Sequence, residues 1–216
     1  MSSLSQAKTL GGIGAILTLL WIVPYAGSVL EIVGWILVLL AIKNISDVVQ
    51  DRSVFNNALI AVILAIVGAA VGGIVIGVNV FRYFSLVNVS ALNSTSFSSQ
   101  TPALISLITG VLAGLAVVWV LGIIASFFLW RSFKTVSSKL KVGTFGTGGL
   151  LYFIGSILTI ILVGFVLTFV AEIIFAVAFF SLPEEPVPGT VGVTPPPSPA
   201  GPSPTMITGS KPVDTR

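Results

Sequence analysis

Four long apolar blocks, Thr9–Ile42, Asn57–Phe81, Ala103–Trp130 and Gly148–Leu182, constrain this chain more than any other feature. Each reaches or exceeds the ~20 residues that a helix needs to cross a hydrocarbon core of roughly 30 Å. Inside them the only charged side chains are Glu31 and Glu172. Apolar residues run on continuously instead of recurring at helical or alternating spacing, which argues against the half-buried elements of a soluble fold. Lipid offers backbone N–H and C=O groups no partner, so such blocks must be helices or closed barrel strands, and barrel strands with a polar lumen alternate. With 55% of its residues hydrophobic and 8% charged, against about a quarter charged in a soluble domain, the chain reads as an all-α, polytopic membrane bundle.

The first block would be about 51 Å long as one helix, well beyond the bilayer. Pro24-Tyr25-Ala26-Gly27-Ser28 supplies a break, because proline removes a helix donor and glycine permits a turn. The last block is as long but contains only Gly164 near its centre. Displacing the sequence by 141 positions sets Ile13–Thr18 on Ile154–Thr159, Val29 on Val170 and Glu31 on Glu172, with eight identities in twenty ungapped positions. This internal match predicts a second break and six spans arranged as three tandem helical hairpins, roughly Leu4–Ile45, Phe55–Phe133 and Gly148–Leu182. Five spans are the alternative. In the hairpin scheme Glu31 and Glu172 sit at matching depth, near the outer surface.

Basic residues near span ends favour the cytoplasmic side. One side holds Lys8, Lys43, Arg52, Arg131, Lys134, Lys139 and Lys141, and the other holds Arg82. The expected topology in a cell membrane is therefore a cytoplasmic N-terminus, an external loop over residues 83–101 and a cytoplasmic C-terminus. That loop carries two glycosylation acceptor patterns, at Asn88 and Asn93. The apolar N-terminal run resembles a signal peptide but lacks a strong cleavage site and belongs to the internal match, so it is read as a retained span. Residues 1–182 form the membrane domain. Residues 183–216 hold ten of the twelve prolines and are expected to be a disordered, Pro-rich tail.

The chain contains no cysteine and no histidine, which removes thiol nucleophiles, disulfides, most zinc sites and imidazole acid–base chemistry. No catalytic, cofactor-binding or metal-binding residues are expected. The basic residues are scattered and form no stripe that could track phosphates, so nucleic acid is not an expected partner. Neither Gly11–Gly14 nor Gly143–Gly149 has the ending or setting of a phosphate loop. The glycines fit close helix packing instead: Gly68 with Gly72, Gly73 with Gly77 and Gly110 with Gly114 are spaced by four, within a hairpin or at a homo-oligomer contact. An ionisable group within a span tends to face a cavity, a partner or a functional path. Glu31 and Glu172 are thus the candidate intramembrane acidic site, and two adjoining carboxylates there could share a proton or hold a cation.

The opening SLSQAKTLGGIGAILTLL, the stretch IVPYAGSVLEIVGWILVLLAIK, the linker DRSVFNNALIAVIL and the closing GLLYFIGSILTIILVGFVLTFVAEIIFAVAFFSLPEE together resemble the archaeal multi-pass membrane family called domain of unknown function 996. The resemblance covers roughly residues 2–185. It implies an archaeal cell membrane and brings no activity with it. Two functions follow as expectations: a non-enzymatic protein that organises or anchors the envelope through its external loop and tail, or a small transporter or channel using Glu31 and Glu172. Expected partners are the lipid bilayer, a second copy through the small-residue faces, and a protein bound by the loop or tail.

Overall fold

The computed structural model describes residues 4–86 and 101–183, and the acceptor sites Asn88 and Asn93 and nearly all of the tail lie outside them. Six helices form: α1 (Leu4–Leu19), α2 (Gly27–Val48), α3 (Arg52–Leu86), α4 (Thr101–Leu140), α5 (Gly143–Leu158) and α6 (Val163–Phe180). They pack as three antiparallel hairpins, α1 on α2, α3 on α4 and α5 on α6. Contacts of α2 with α3, α4 with α5 and α1 with α6 close these hairpins into a ring. The architecture is the all-α membrane bundle read from the sequence. By length and composition five of the helices, all but α1, are apolar enough to cross a membrane.

The helices run farther than the apolar blocks. Residues 43–55 and 133–145, the more polar stretches between the apolar blocks, are mostly helix, leaving only short turns around Gln50 and Lys141. Both residues adopt a left-handed backbone, with φ of 52° and 55°, the conformation that commonly ends a helix. Asp51 then starts α3: its Oδ1 accepts from the Ser53 backbone N–H at 3.0 Å and from the Ser53 hydroxyl at 2.6 Å, satisfying a donor that the first turn leaves without a helical partner. The Ser46 hydroxyl donates to the Asp51 carbonyl at 2.8 Å, and Lys139 at the end of α4 lies 3.8 Å from Asp51 Oδ2. One residue thereby connects α2, α3 and α4.

The turns of the first and third hairpins are built alike. In each, a 16-residue helix passes into a three-residue 3₁₀ turn, Leu20–Ile22 or Thr159–Ile161. Glycines let the paired helices touch, with a Cβ on Gly34 falling 2.7 Å from the Gly14 carbonyl oxygen and one on Gly164 falling 2.3 Å from that of Gly155. Gly14 and Gly34 are 20 residues apart, however, and Gly155 and Gly164 only nine. The helices therefore cross at different distances from their turns, and the 141-residue match does not carry through the second helix as an equivalence of position. Glu31 is three residues before its crossing glycine and Glu172 eight after its own.

The core sits at one end of the ring. Phe133, Phe145, Phe175 and Phe179 stack there, the closest pair being Phe133 and Phe175 with ring centres 4.6 Å apart. Leu4, Ile45, Val54, Val136 and Leu182 fill the space around them. This is also where the hairpins gather Lys8, Lys43, Arg52, Arg131, Lys134, Lys139 and Lys141, while Arg82 lies near the far end of α3.

Candidate functional site

The ring of helices brings the first and third hairpins together, and with them the two intramembrane glutamates. Glu31, the fifth residue of α2, is half-buried, and Glu172, in the middle of α6, is 8% exposed. Glu31 lies about one helical turn before Trp35 on α2 and Glu172 about one turn before Phe175 on α6. The Tyr152 ring packs edge-on to Trp35 of α2, with centres 6.2 Å apart, and against Phe175 of α6 at 5.8 Å. Three helices, α2, α5 and α6, thus converge on a small acidic and aromatic cluster between the hairpins.

Glu172 Oε2 is buried without a hydrogen-bond partner among the described residues. An unsatisfied polar atom in a low-dielectric interior costs free energy, and an isolated ionised carboxylate costs far more. No lysine or arginine pairs with either glutamate among the described residues. A proton, a small cation or water would satisfy the free oxygen. Glu31, being less buried, has the more open side of the pair.

The glycines divide into two groups. Gly68, Gly72, Gly110 and Gly114 lie in the α3–α4 seam: a Cβ on Gly68 would meet Leu121 at 3.0 Å, one on Gly72 the Gly114 carbonyl oxygen at 2.8 Å, and one on Gly110 the Asn79 side chain. Gly73 and Gly77 have nothing within 4 Å of the position their Cβ would take. They point out of the hairpin although they share the four-residue spacing. Where α3 ends and α4 begins, Asn79, Arg82, Tyr83 and Ser106 border a recess of about 390 Å³.

Tyr152 and Trp35 were not among the residues singled out from the sequence. Tyr152 is the only tyrosine within the last apolar block, a signal that was available. Ser126 and Ser156, whose hydroxyls lie 2.6 Å apart between α4 and α5, and Trp119, which donates to the Ser156 carbonyl at 3.1 Å, carried no periodic or compositional mark.

The family described as a protein of unknown function, DUF996, matches residues 30–173, a span that contains both glutamates. The chain belongs to this family. It is also 37% identical over 183 residues, 84% of this chain and 94% of the relative, to an uncharacterized protein of Methanocaldococcus jannaschii. No solved structure matches it. This DUF996 member is therefore grouped with an archaeal relative to which no activity is attached.

Proposed function

We propose that this DUF996 protein is a non-enzymatic membrane transporter or channel in which Glu31 and Glu172 form one proton-exchanging site between the first and third hairpins. The observation that carries this reading is the buried Oε2 of Glu172, unpartnered among the described residues, in the seam of α2, α5 and α6 that also holds Glu31, with no cationic side chain paired to either glutamate among those residues. Such a pair accepts and gives up a proton at a point where two separately folded hairpins meet, so protonation can bias how they pack. The concentration of basic residues at the core end supports placing that end in the cytoplasm, with the outer end of α3 and α4 outside the cell. The alternative of an envelope-organising anchor draws on the external loop and the tail, which lie largely outside the described residues.

The test is proton flux in reconstituted vesicles under an imposed gradient. The intact protein is expected to dissipate the gradient, and the double variant Glu31→Gln, Glu172→Gln to have lost this activity while keeping its fold in detergent. Equal flux through both proteins, or none through either, would contradict the proposal. Flux that requires sodium or potassium and not a pH gradient would replace the proton by that cation.

A further inference from the structure

The three hairpins differ in reach, and the contacts between them allow that reach to be measured from a common level. Ser132 Oγ donates to the Val54 carbonyl at 2.7 Å, which sets the start of α3 beside the end of α4. Gly149 of α5 lies against Trp130 and Phe133, and the Phe133 ring is 4.6 Å from that of Phe175 in α6. Val54, Ser132, Gly149 and Phe175 thus mark one level, flanked by Arg52 and Arg131 at the basic end. From Gly149, the rest of α5 and its 3₁₀ turn rise roughly 20 Å. From Phe175 back to Val163, α6 rises about 18 Å. Along α3, Arg82 is about 42 Å from Val54.

The first hairpin is similarly short. A Cβ on Gly11 would strike the Phe179 ring and one on Gly12 the Phe180 ring, so α1 starts its climb beside the end of α6. From Gly11 through Ile22 it rises about 18 Å. A lateral contact gives the same answer for the third hairpin: Ser156, near the end of α5, is bonded to Trp119 and Ser126. Beyond Trp119, α4 continues for another 18 residues to Thr101, about 27 Å. A hydrocarbon core is roughly 30 Å thick. Rotating the bundle does not help the short hairpins, because tilt only lowers the height they gain.

The tip of the third hairpin has the chemistry of that depth, and that of the first is apolar on its α1 side, with exposed Tyr25 at its apex. Ile160 and Leu162 are 72% and 75% exposed, and Ile161, Val163, Ile22 and Val23 are also exposed. An uncovered turn made of Ile160-Ile161-Leu162-Val163 has no side chain that could bond water. Its backbone is served locally instead, by Leu162 N–H to the Thr159 carbonyl at 3.3 Å and Phe165 N–H to the Leu162 carbonyl at 3.0 Å. In the first hairpin Val23 N–H donates to the Leu20 carbonyl at 2.9 Å and Gly27 N–H to the Val23 carbonyl at 2.8 Å. Turns closed in this way, by bonds spanning three or four residues, reduce the cost that hydrocarbon imposes on irregular backbone.

We propose that α1–α2 and α5–α6 are re-entrant hairpins, entering from the basic face and turning inside the hydrocarbon, and that α3–α4 alone cross to the other surface. Five helices are apolar and long enough to span when each is taken end to end, but their packed register places part of α2 and α6 at or beyond the basic surface. The embedded body is then a wedge, with six helices in one leaflet and two in the other. Its partner is the acyl-chain region of the bilayer, and the wedge fits a membrane whose basic-side leaflet is convex.

The absence of native cysteine allows a direct test in vesicles. Single variants Ile160→Cys and Ile22→Cys report the tips, Ser85→Cys the outer end and Ser138→Cys the basic end. An impermeant maleimide is expected to label Ser85→Cys and Ser138→Cys from opposite sides and the tip variants from neither side until detergent is added. Fluorophores on the tip cysteines are expected to be quenched best by lipids carrying the quencher deep in the acyl chain. Tip labelling from the side that labels Ser85→Cys means that the hairpins cross, and labelling from the Ser138→Cys side means that they do not enter. Either result overturns the proposal.

Discussion

Adding one methyl group at single glycines of α3 and α4 separates helix packing from helix propensity. A Cβ at Gly72 lies 2.8 Å from the Gly114 carbonyl oxygen and 2.3 Å from Val118 Cγ2, and one at Gly114 lies 2.9 Å from the Gly72 carbonyl oxygen and 2.5 Å from Ile76 Cγ1. Rotamer changes can move Val118 and Ile76. The carbonyl oxygens belong to the helices themselves, so α3 and α4 must separate by roughly half an ångström to restore ordinary contact, weakening dispersion along the seam. Overpacking of this kind costs ~1–3 kcal/mol, and alanine returns about 0.5–1 kcal/mol of helix propensity. Gly72→Ala and Gly114→Ala are each expected to lose about 1–2 kcal/mol net. The double variant should lose less than the sum, because the first separation accommodates the second methyl group. Gly73→Ala and Gly77→Ala meet nothing within 4 Å and should gain up to about 1 kcal/mol. Reversible unfolding in bicelles measures all five proteins. Equal losses at Gly72 and Gly73 would refute the assignment of the seam and place a second copy of the chain on the outward glycine face.

Phe133→Ala removes the ring at the centre of the aromatic cluster and should cost ~3–5 kcal/mol, read in the same unfolding assay against a smaller loss for exposed Phe84→Ala. Gln50→Gly and Lys141→Gly relieve a side chain at positive φ and should each raise the melting temperature, by up to about 1–2 kcal/mol of stability. Asp51→Ala removes the cap of α3 and should cost about 1 kcal/mol at neutral pH. Hydrogen bonds from Ser53, with a smaller contribution from Lys139, hold the Asp51 carboxyl below its ordinary value of 3.8. A carboxyl depressed by folding stabilises the folded state above its unfolded value and loses that contribution as the pH falls through its folded value. The difference in stability between the intact protein and Asp51→Ala should therefore hold at neutral pH and shrink below about pH 4; a constant difference would contradict the capping account.

Most of the architecture was legible because hydrocarbon leaves so few options. Apolar block lengths, the Pro24–Ser28 break and the internal match pointed to three hairpins, and three hairpins form. The helix ends were less legible: residues 43–55 and 133–145 are polar enough to read as linkers, yet Ser46, Ser132 and Asp51 find partners that let the helices continue. Spacing also could not assign faces, since Gly72 and Gly73 belong to equally regular series and only the rotation of α3 against α4 puts one in the seam. For the acidic pair, the sequence named both residues but not the groups around them. The internal match gave the two glutamates equivalent places in two hairpins, whereas the hairpins cross at different distances from their turns. The structure brings them together through the contacts of α1 with α6 and of Trp35 with Tyr152, neither of which has a linear signature.

The account rests on Glu31 and Glu172 meeting within one molecule. In the cysteine-free chain, Glu31→Cys with Glu172→Cys can be treated with a short bifunctional maleimide in vesicles, beside the control pair Ser126→Cys with Ser156→Cys, whose native hydroxyls lie 2.6 Å apart. The account predicts an intramolecular cross-link in both pairs, formed at a rate independent of protein density in the membrane. Cross-linking of the control pair alone, or cross-linking of the 31–172 pair only between two chains, would contradict it.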